Sequence, residues 1–131
     1  RRAAPVLTTL SQAPRRRILL VEDNEGVGKF AAGLLRELGQ HVTWAGDGQA
    51  ALKRLEAGPE EFDMVFSDVV MPGISGLELA QLIRHRWPDL KVVLTSGYSH
   101  VIAEHGPQGF PLLRKPYSID GLLSILASTG A

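Results

Sequence analysis

The chain has 131 residues, of which 44% are hydrophobic and 21% charged, and its formal net charge is zero, a composition typical of one globular domain. It contains no cysteine, which excludes disulfide bonds, thiolate catalysis and zinc–thiolate sites. Its sequence shows neither a secretory signal nor an apolar run of the roughly 18–20 residues that cross a bilayer.

The charges are distributed unevenly along the chain. Residues 1–17 contain five arginines and no acidic residue, so the rest of the chain holds 9 basic and 14 acidic residues. That remainder is mildly acidic, which argues against nucleic acid as its direct partner. Residues 1–16 also contain two prolines and show no hydrophobic periodicity. We interpret residues 1–16 as a linker or disordered basic tail and residues 17–131 as one domain.

Strands and helices alternate along the domain. Residues 17–21 form a continuous apolar run, which is typical of a strand buried on both faces, and apolar residues recur at helical spacing from Val27 to Leu38. Asn24 is the expected N-cap of this first helix, and Gly39 is its expected end. The other predicted strands are at 41–45, 64–67, 92–95 and 112–114, and the other predicted helices are at 50–57, 76–86 and 119–126.

This alternation predicts an α/β fold with a parallel sheet, helices on both faces and right-handed crossovers. Residues 99–110 give the weakest pattern, because Gly106, Pro107 and Gly109 limit any helix there to about one turn. Trp44 and Trp87 are interpreted as packing residues.

Polar side chains stand at the ends of four predicted strands. These residues are Glu22 and Asp23 after the first strand, Asp68 after the third, Ser96 after the fourth and Lys115 after the fifth. In a parallel sheet these ends share one edge, and open α/β sheets bind their ligands there. Because Pro72 and Gly73 force an early turn, we place Asp68 in a loop at the carboxyl end of its strand.

The residue types at this edge predict phosphoryl chemistry. Three carboxylates repel one another unless a cation joins them, and oxygen ligands of this kind suit Mg²⁺. A carboxylate beside Mg²⁺ can attack phosphorus and form an acyl phosphate. A lysine ammonium can neutralise the phosphoryl oxygens, and a serine hydroxyl can donate a hydrogen bond to one of them.

These motifs resemble the receiver domain of two-component response regulators. The resemblance covers residues 17–128 and implies a flavodoxin-like (βα)5 three-layer sandwich, whose five-stranded parallel sheet has the order 2-1-3-4-5. The matching segments are Ile18-Leu19-Leu20-Val21-Glu22-Asp23-Asn24, Ser67-Asp68-Val69-Val70-Met71-Pro72-Gly73, Gly76-Leu77-Glu78-Leu79, Ser96-Gly97 and Lys115-Pro116.

The resemblance implies a role for each acidic residue at the sheet edge. Asp68 would be the phosphoacceptor, which takes its phosphoryl group from the phosphohistidine of a histidine kinase or phosphotransfer domain. Asp23 and Asp68 would bind Mg²⁺ through their side chains, and the backbone carbonyl of Val70 would be a third protein ligand. Glu22 would act through a metal-bound water.

The resemblance also implies a conformational switch. Lys115 would pair with the phosphoryl group, and Ser96 would swing in to hydrogen-bond it, which would move the loop after the fourth strand. Leu112 stands at the family's aromatic switch position, so the usual rotating ring is absent there. Whether the chain counts as an enzyme stays open, because such a domain catalyses only its own aspartyl phosphorylation and dephosphorylation.

The Ser96-Gly97-Tyr98 turn and residues 110–117 resemble receivers attached to hybrid sensor histidine kinases. We therefore expect the chain to be part of such a kinase and to be cytoplasmic, with no membrane contact of its own even where the parent protein is membrane-anchored. A single-domain response regulator is the alternative, as is a receiver-like binding module that is never phosphorylated.

A dinucleotide site is a further alternative. Residues 26–31 match the pattern G-x-G-x-x-A, and Asp47 lies about 20 residues downstream. Against this reading, four residues separate Val21 from Gly26, too many for the tight turn of a dinucleotide-binding loop. Acidic residues also crowd the place where a pyrophosphate would bind.

Overall fold

The computed structural model describes residues 15–96, 110, 112–114 and 119–128. Residues 99–109 and Lys115 therefore lie outside the described part of the chain. The elements are β1 (Arg17–Val21), α1 (Glu25–Glu37), β2 (His41–Ala45), α2 (Gly48–Ala57), a 3-10 turn (Pro59–Glu61), β3 (Met64–Asp68), α3 (Gly76–Arg86), β4 (Lys91–Ser96), β5 (Leu112–Arg114) and α4 (Ile119–Ser128).

The described strands form one parallel sheet in the order β2-β1-β3-β4-β5. This order and the alternating helices confirm the predicted flavodoxin-like fold. Val21 at the end of β1 pairs with Ser67, and Asp68 at the end of β3 pairs with Thr95. Because the strands are parallel and in this register, the residues that follow β1 and the residue that ends β3 lie at the same edge.

Alternate residues of β1 pack on opposite faces of the sheet. Leu19 and Val21 belong to the apolar cluster formed with α2 and α3, whereas Ile18 and Leu20 belong to the cluster formed with α1 and α4. All four side chains are at most 1% exposed. Burial of one side chain of this size stabilises the folded state by about 1.5–3 kcal/mol. The two buried faces explain why β1 is a continuous apolar run rather than an alternating one.

Side-chain caps determine where the helices begin. Asn24 caps α1 as predicted, since its Oδ1 accepts a hydrogen bond from the Val27 N–H at 2.9 Å. Helix α2 begins at Gly48, two residues before its predicted start, because the Oδ1 of Asp47 accepts from the Ala50 N–H at 2.8 Å. Ser75 starts α3 with a capping box.

Two arginines anchor the beginning of the described chain at the opposite edge of the sheet. The Arg17 N–H donates to Asp63 Oδ2 at 2.8 Å, and its guanidinium donates to Asp63 Oδ1 at 3.0 Å. These hydrogen bonds lower the pKa of Asp63 below its usual value. The Arg16 N–H donates to Gln40 Oε1 at 2.9 Å.

The boundary between tail and domain stays a prediction. None of the described helices has the length and apolarity needed to cross a membrane.

Candidate functional site

Three carboxylates meet at the carboxyl edge of the sheet. One oxygen each from Glu22, Asp23 and Asp68 lies within 4.8 Å of the other two. Glu22 is 1% exposed and Asp68 is 9% exposed, whereas Asp23 is open to solvent. Burial weakens the screening of like charges by water, so a cation placed among these carboxylates would relieve their repulsion.

Asp68 is the last residue of β3, which corrects our placement of this residue in a loop. It keeps its parallel pairing with Thr95, and the next residue, Val69, still donates its N–H to the Thr95 carbonyl at 3.0 Å. The chain turns only later, where Gly73 adopts a φ of 79° that favours glycine. The carboxylate of Asp68 is thus attached to backbone that the neighbouring strand holds in place.

Gly76 allows α3 to begin directly against the end of β3. Its N–H donates to the Val69 carbonyl at 2.7 Å, and a Cβ at this position would lie 2.0 Å from the backbone oxygen of Asp68. Any larger residue would displace the backbone that carries the Asp68 carboxylate. The sequence indicated only that a helix begins at Gly76, because no local pattern shows which backbone will approach it.

The loop between β1 and α1, residues 22–24, carries the other two carboxylates. The Glu22 N–H donates to the Ala45 carbonyl at 3.1 Å, and the Trp44 indole Nε1–H donates to the Glu22 carbonyl at 2.9 Å. The Asn24 N–H donates to Glu22 Oε2 at 3.1 Å. Trp44 therefore makes a polar contact with this loop in addition to packing, which our sequence interpretation did not include.

The remaining predicted site residues are described only in part. Ser96 ends β4 and pairs with Arg114, so its backbone lies at the same edge as Asp68, but its side chain is outside the described part. Leu112 is half-buried and packs against the cluster between the sheet, α2 and α3. Val70, two residues after Asp68, is 57% exposed.

The structure argues against the dinucleotide alternative. Gly26 and Gly28 lie within α1, which begins at Glu25, so they do not form a glycine-rich loop before the helix. Gly28 instead makes room for an aromatic ring, since a Cβ there would lie 2.0 Å from Cζ2 of Trp44.

The donor set of the cluster fits a hard divalent cation. All three side chains offer carboxylate oxygens, and the group contains no nitrogen or sulfur ligand. Mg²⁺ binds through one or two carboxylates together with waters and phosphate oxygens, and this arrangement leaves room for such ligands because Asp23 is open to solvent.

The sequence matches one family model and is similar to known signalling proteins. The family model of the response regulator receiver domain matches residues 18–127. The response regulator receiver protein CpdR of Brucella abortus is 33% identical over 112 residues, which cover 83% of this chain and 92% of CpdR. The sensor kinase CckA of the same organism is 37% identical over 108 residues, which cover 80% of this chain but 11% of CckA.

A solved structure shows the same fold. The response regulator TrrA of Thermotoga maritima, in complex with Mg²⁺-BeF, has a TM-score of 0.78 and is 32% identical. The match covers 87% of this chain and 98% of TrrA. TrrA has also been solved in complex with the histidine kinase ThkA.

Proposed function

Because the chain belongs to the response regulator receiver domain family of two-component systems, we propose that it accepts a phosphoryl group on Asp68 in a histidine-to-aspartate phosphorelay. The observation that carries the proposal is the approach of three carboxylates to within 4.8 Å at the carboxyl edge of the sheet. The complex of TrrA with Mg²⁺-BeF supports the same chemistry here.

The reaction is a transfer of the phosphoryl group from nitrogen to oxygen. A carboxylate oxygen of Asp68 attacks the phosphorus of a phosphohistidine, and the P–O bond forms as the P–N bond breaks. The imidazole nitrogen leaves with the electron pair of that bond and takes up a proton. The backbone of Asp68, paired with Thr95 and packed against Gly76, holds the attacking oxygen in place.

The acidic residues would hold Mg²⁺ at this edge. We assign the side chains of Asp23 and Asp68 and the backbone carbonyl of Val70 as ligands, with Glu22 acting through a water. When bound, Mg²⁺ offsets the charge of the carboxylates and withdraws electron density from the phosphoryl oxygens. Glu22 is almost fully buried, which favours a fixed water-mediated role over exchange with solvent.

Two further residues would respond to the phosphoryl group. The Lys115 ammonium would neutralise one phosphoryl oxygen, and the Ser96 hydroxyl would donate a hydrogen bond to another. Leu112 on β5 pairs with Leu94 on β4, the strand that Ser96 ends, so a movement of Ser96 would be passed to β5. Leu112 cannot rotate an aromatic ring, so we propose that the switch acts through a shift of this strand pair.

The phosphodonor in this proposal is a histidine kinase or a phosphotransfer domain, which is supported by the complex of TrrA with ThkA. We further propose that the chain is part of a hybrid sensor histidine kinase. The match to the sensor kinase CckA, of which it covers 11%, supports this parent. The match to CpdR, of which it covers 92%, favours a single-domain regulator as the second candidate. The cytoplasmic location and the lack of direct contact with nucleic acid or membrane stay predictions.

Phosphorylation by a small donor tests the proposal without a partner protein. The chain is incubated with acetyl phosphate and Mg²⁺ and its intact mass is measured. We expect one phosphoryl group per chain, and we expect none when EDTA removes the metal or when Asp68 is replaced in Asp68→Asn. Asp63→Asn is the matched control, because it removes a carboxylate at the opposite edge of the sheet. Equal phosphorylation of Asp68→Asn and wild type would contradict the proposal.

A further inference from the structure

We infer that Trp44 is a positioning residue for the proposed metal site, because it anchors the loop that carries Glu22 and Asp23. The inference rests on the proposed function. Trp44 lies on β2, beside β1, and its indole Nε1–H donates to the Glu22 carbonyl at 2.9 Å. The partners are 22 residues apart in the chain, so this bond ties the loop to a different strand.

The hydrogen bond acts on Asp23 through the peptide group. The Glu22 carbonyl and the Asp23 N–H belong to one planar unit, so fixing the direction of the carbonyl also fixes the plane from which Asp23 extends. The same residue is bound on its other side, where the Glu22 N–H donates to the Ala45 carbonyl at 3.1 Å. Adjacent residues of β2 thus hold both peptide groups of Glu22. Asp23 is exposed, so this backbone anchor substitutes for the packing that positions the buried acids.

The indole is held in place by a matching gap in α1. A Cβ on Gly28 would lie 2.0 Å from Cζ2 and 2.4 Å from Cε2 of Trp44. Glycine is unfavourable within a helix, but here it lets the ring lie directly against the helix backbone. The Gly28 N–H donates to the carbonyl of Asn24, the last residue of the acidic loop, at 2.8 Å. The turn of α1 that packs against the indole is therefore hydrogen-bonded directly to this loop.

The variant Trp44→Phe distinguishes a positioning role of Trp44 from a packing role. Phenylalanine keeps an aromatic ring beside Gly28 but lacks the Cζ2 and Cη2 atoms and the N–H of the indole, so it loses part of the packing as well as the hydrogen bond to the Glu22 carbonyl. We expect the affinity for Mg²⁺, measured by calorimetry, to fall about 3–10-fold, the change that the loss of one hydrogen bond produces. A residue that only packs would lower the stability of the metal-free protein to urea and leave the affinity for Mg²⁺ unchanged.

Trp87→Phe is the matched control, since the chain has two tryptophans. Trp87 lines a cavity of about 410 Å³ together with Phe62 and Leu90, which precede β3 and β4 at the opposite edge of the sheet. We expect Trp87→Phe to bind Mg²⁺ as the wild type does. In Trp87→Phe the fluorescence comes from Trp44, and we expect this emission to change as Mg²⁺ binds. In Trp44→Phe the fluorescence comes from Trp87, and we expect no change.

Gly28→Ala provides a second and independent variant. Alanine is the better helix former, so a purely local effect would stabilise α1. Its Cβ would instead push the indole away from Glu22, and we expect weaker binding of Mg²⁺. In Trp44→Ala the ring is gone, so adding Gly28→Ala should cause no further loss of affinity.

The outcomes separate the inference from the function on which it rests. If the wild type and Trp44→Phe bind Mg²⁺ equally well, the inference is wrong and the proposed function stands. If the wild type binds no Mg²⁺, both are wrong. A selective loss of affinity in Trp44→Phe, with the Trp87→Phe control intact, supports the positioning role.

Discussion

Gly76→Ala tests whether the close contact between α3 and β3 holds the Asp68 backbone. The added Cβ would lie 2.0 Å from the Asp68 backbone oxygen, 2.8 Å from its carbonyl carbon and 2.9 Å from Cα of Val69. Ordinary contact begins near 3.4 Å, so helix and strand must separate by about 1.4 Å. All three atoms belong to the backbone and none can rotate away. Overpacking of this kind costs about 1–3 kcal/mol.

Gly33→Ala is the control for this prediction. Gly33 lies within α1, and a Cβ there would meet no atom within 4 Å. Replacing glycine with alanine in an open helical position stabilises a protein by about 0.4–1 kcal/mol. Urea unfolding should therefore show Gly76→Ala less stable than the wild type and Gly33→Ala more stable. If Gly76→Ala were as stable as Gly33→Ala, the contact would not constrain the Asp68 backbone and our reasoning would be refuted.

Three other predictions concern an ion pair, an exposed aromatic side chain and the lifetime of the phosphoryl group. The Arg17 hydrogen bonds lower the pKa of Asp63, so its contribution to stability is present above the unfolded-state pKa of about 3.9 and is lost as the pH falls through the lower folded pKa. Asp63→Asn should accordingly be less stable than the wild type at neutral pH, and urea unfolding should show the difference disappearing in acid; a constant difference would argue against the ion pair. Phe30 is 56% exposed on α1, the helix that follows Asp23, so Phe30→Ala should slow phosphotransfer from a phosphohistidine protein but not from acetyl phosphate. Leu82→Ala, at a 39% exposed position of α3, is its control, and equal slowing with both donors would exclude a docking role. Val70, two residues after Asp68, and Tyr98, two residues after Ser96, offer no group that orients water well, so phospho-Asp68 should hydrolyse slowly. Val70→Asn combined with Tyr98→Glu should shorten its half-life, and an unchanged half-life would contradict this.

The elements that could be predicted from the sequence are those with local causes. The continuous apolar run of β1 follows from burial on two faces, and α1 follows from its apolar stripe, the Asn24 cap and the positive φ of Gly39. The approach of Glu22, Asp23 and Asp68 could also be predicted, because parallel strands bring their carboxyl ends to one edge.

The contacts that could not be predicted join residues that are far apart in the chain or separated by a turn. Nothing in the local sequence shows that the indole of Trp44 reaches Glu22, or that Gly76 faces the backbone of Asp68. The end of β3 was misplaced for a related reason. Pairing with Thr95 on the neighbouring strand extends β3 to Asp68, and the Pro-Gly pattern does not reveal that pairing. The roles assigned to all the site residues, from Asp68 and its neighbouring acids to Ser96, Leu112 and Lys115, stay predictions.

The most direct test of the central claim is a crystal structure of the chain grown with Mg²⁺ and beryllofluoride, which mimics a phosphoryl group. We predict that beryllium is bonded to a carboxylate oxygen of Asp68, that Mg²⁺ contacts Asp23, Asp68 and the Val70 carbonyl, and that Glu22 reaches the ion through a water. A structure in which beryllofluoride binds elsewhere, or in which no cation lies among the three carboxylates under these conditions, would contradict the account.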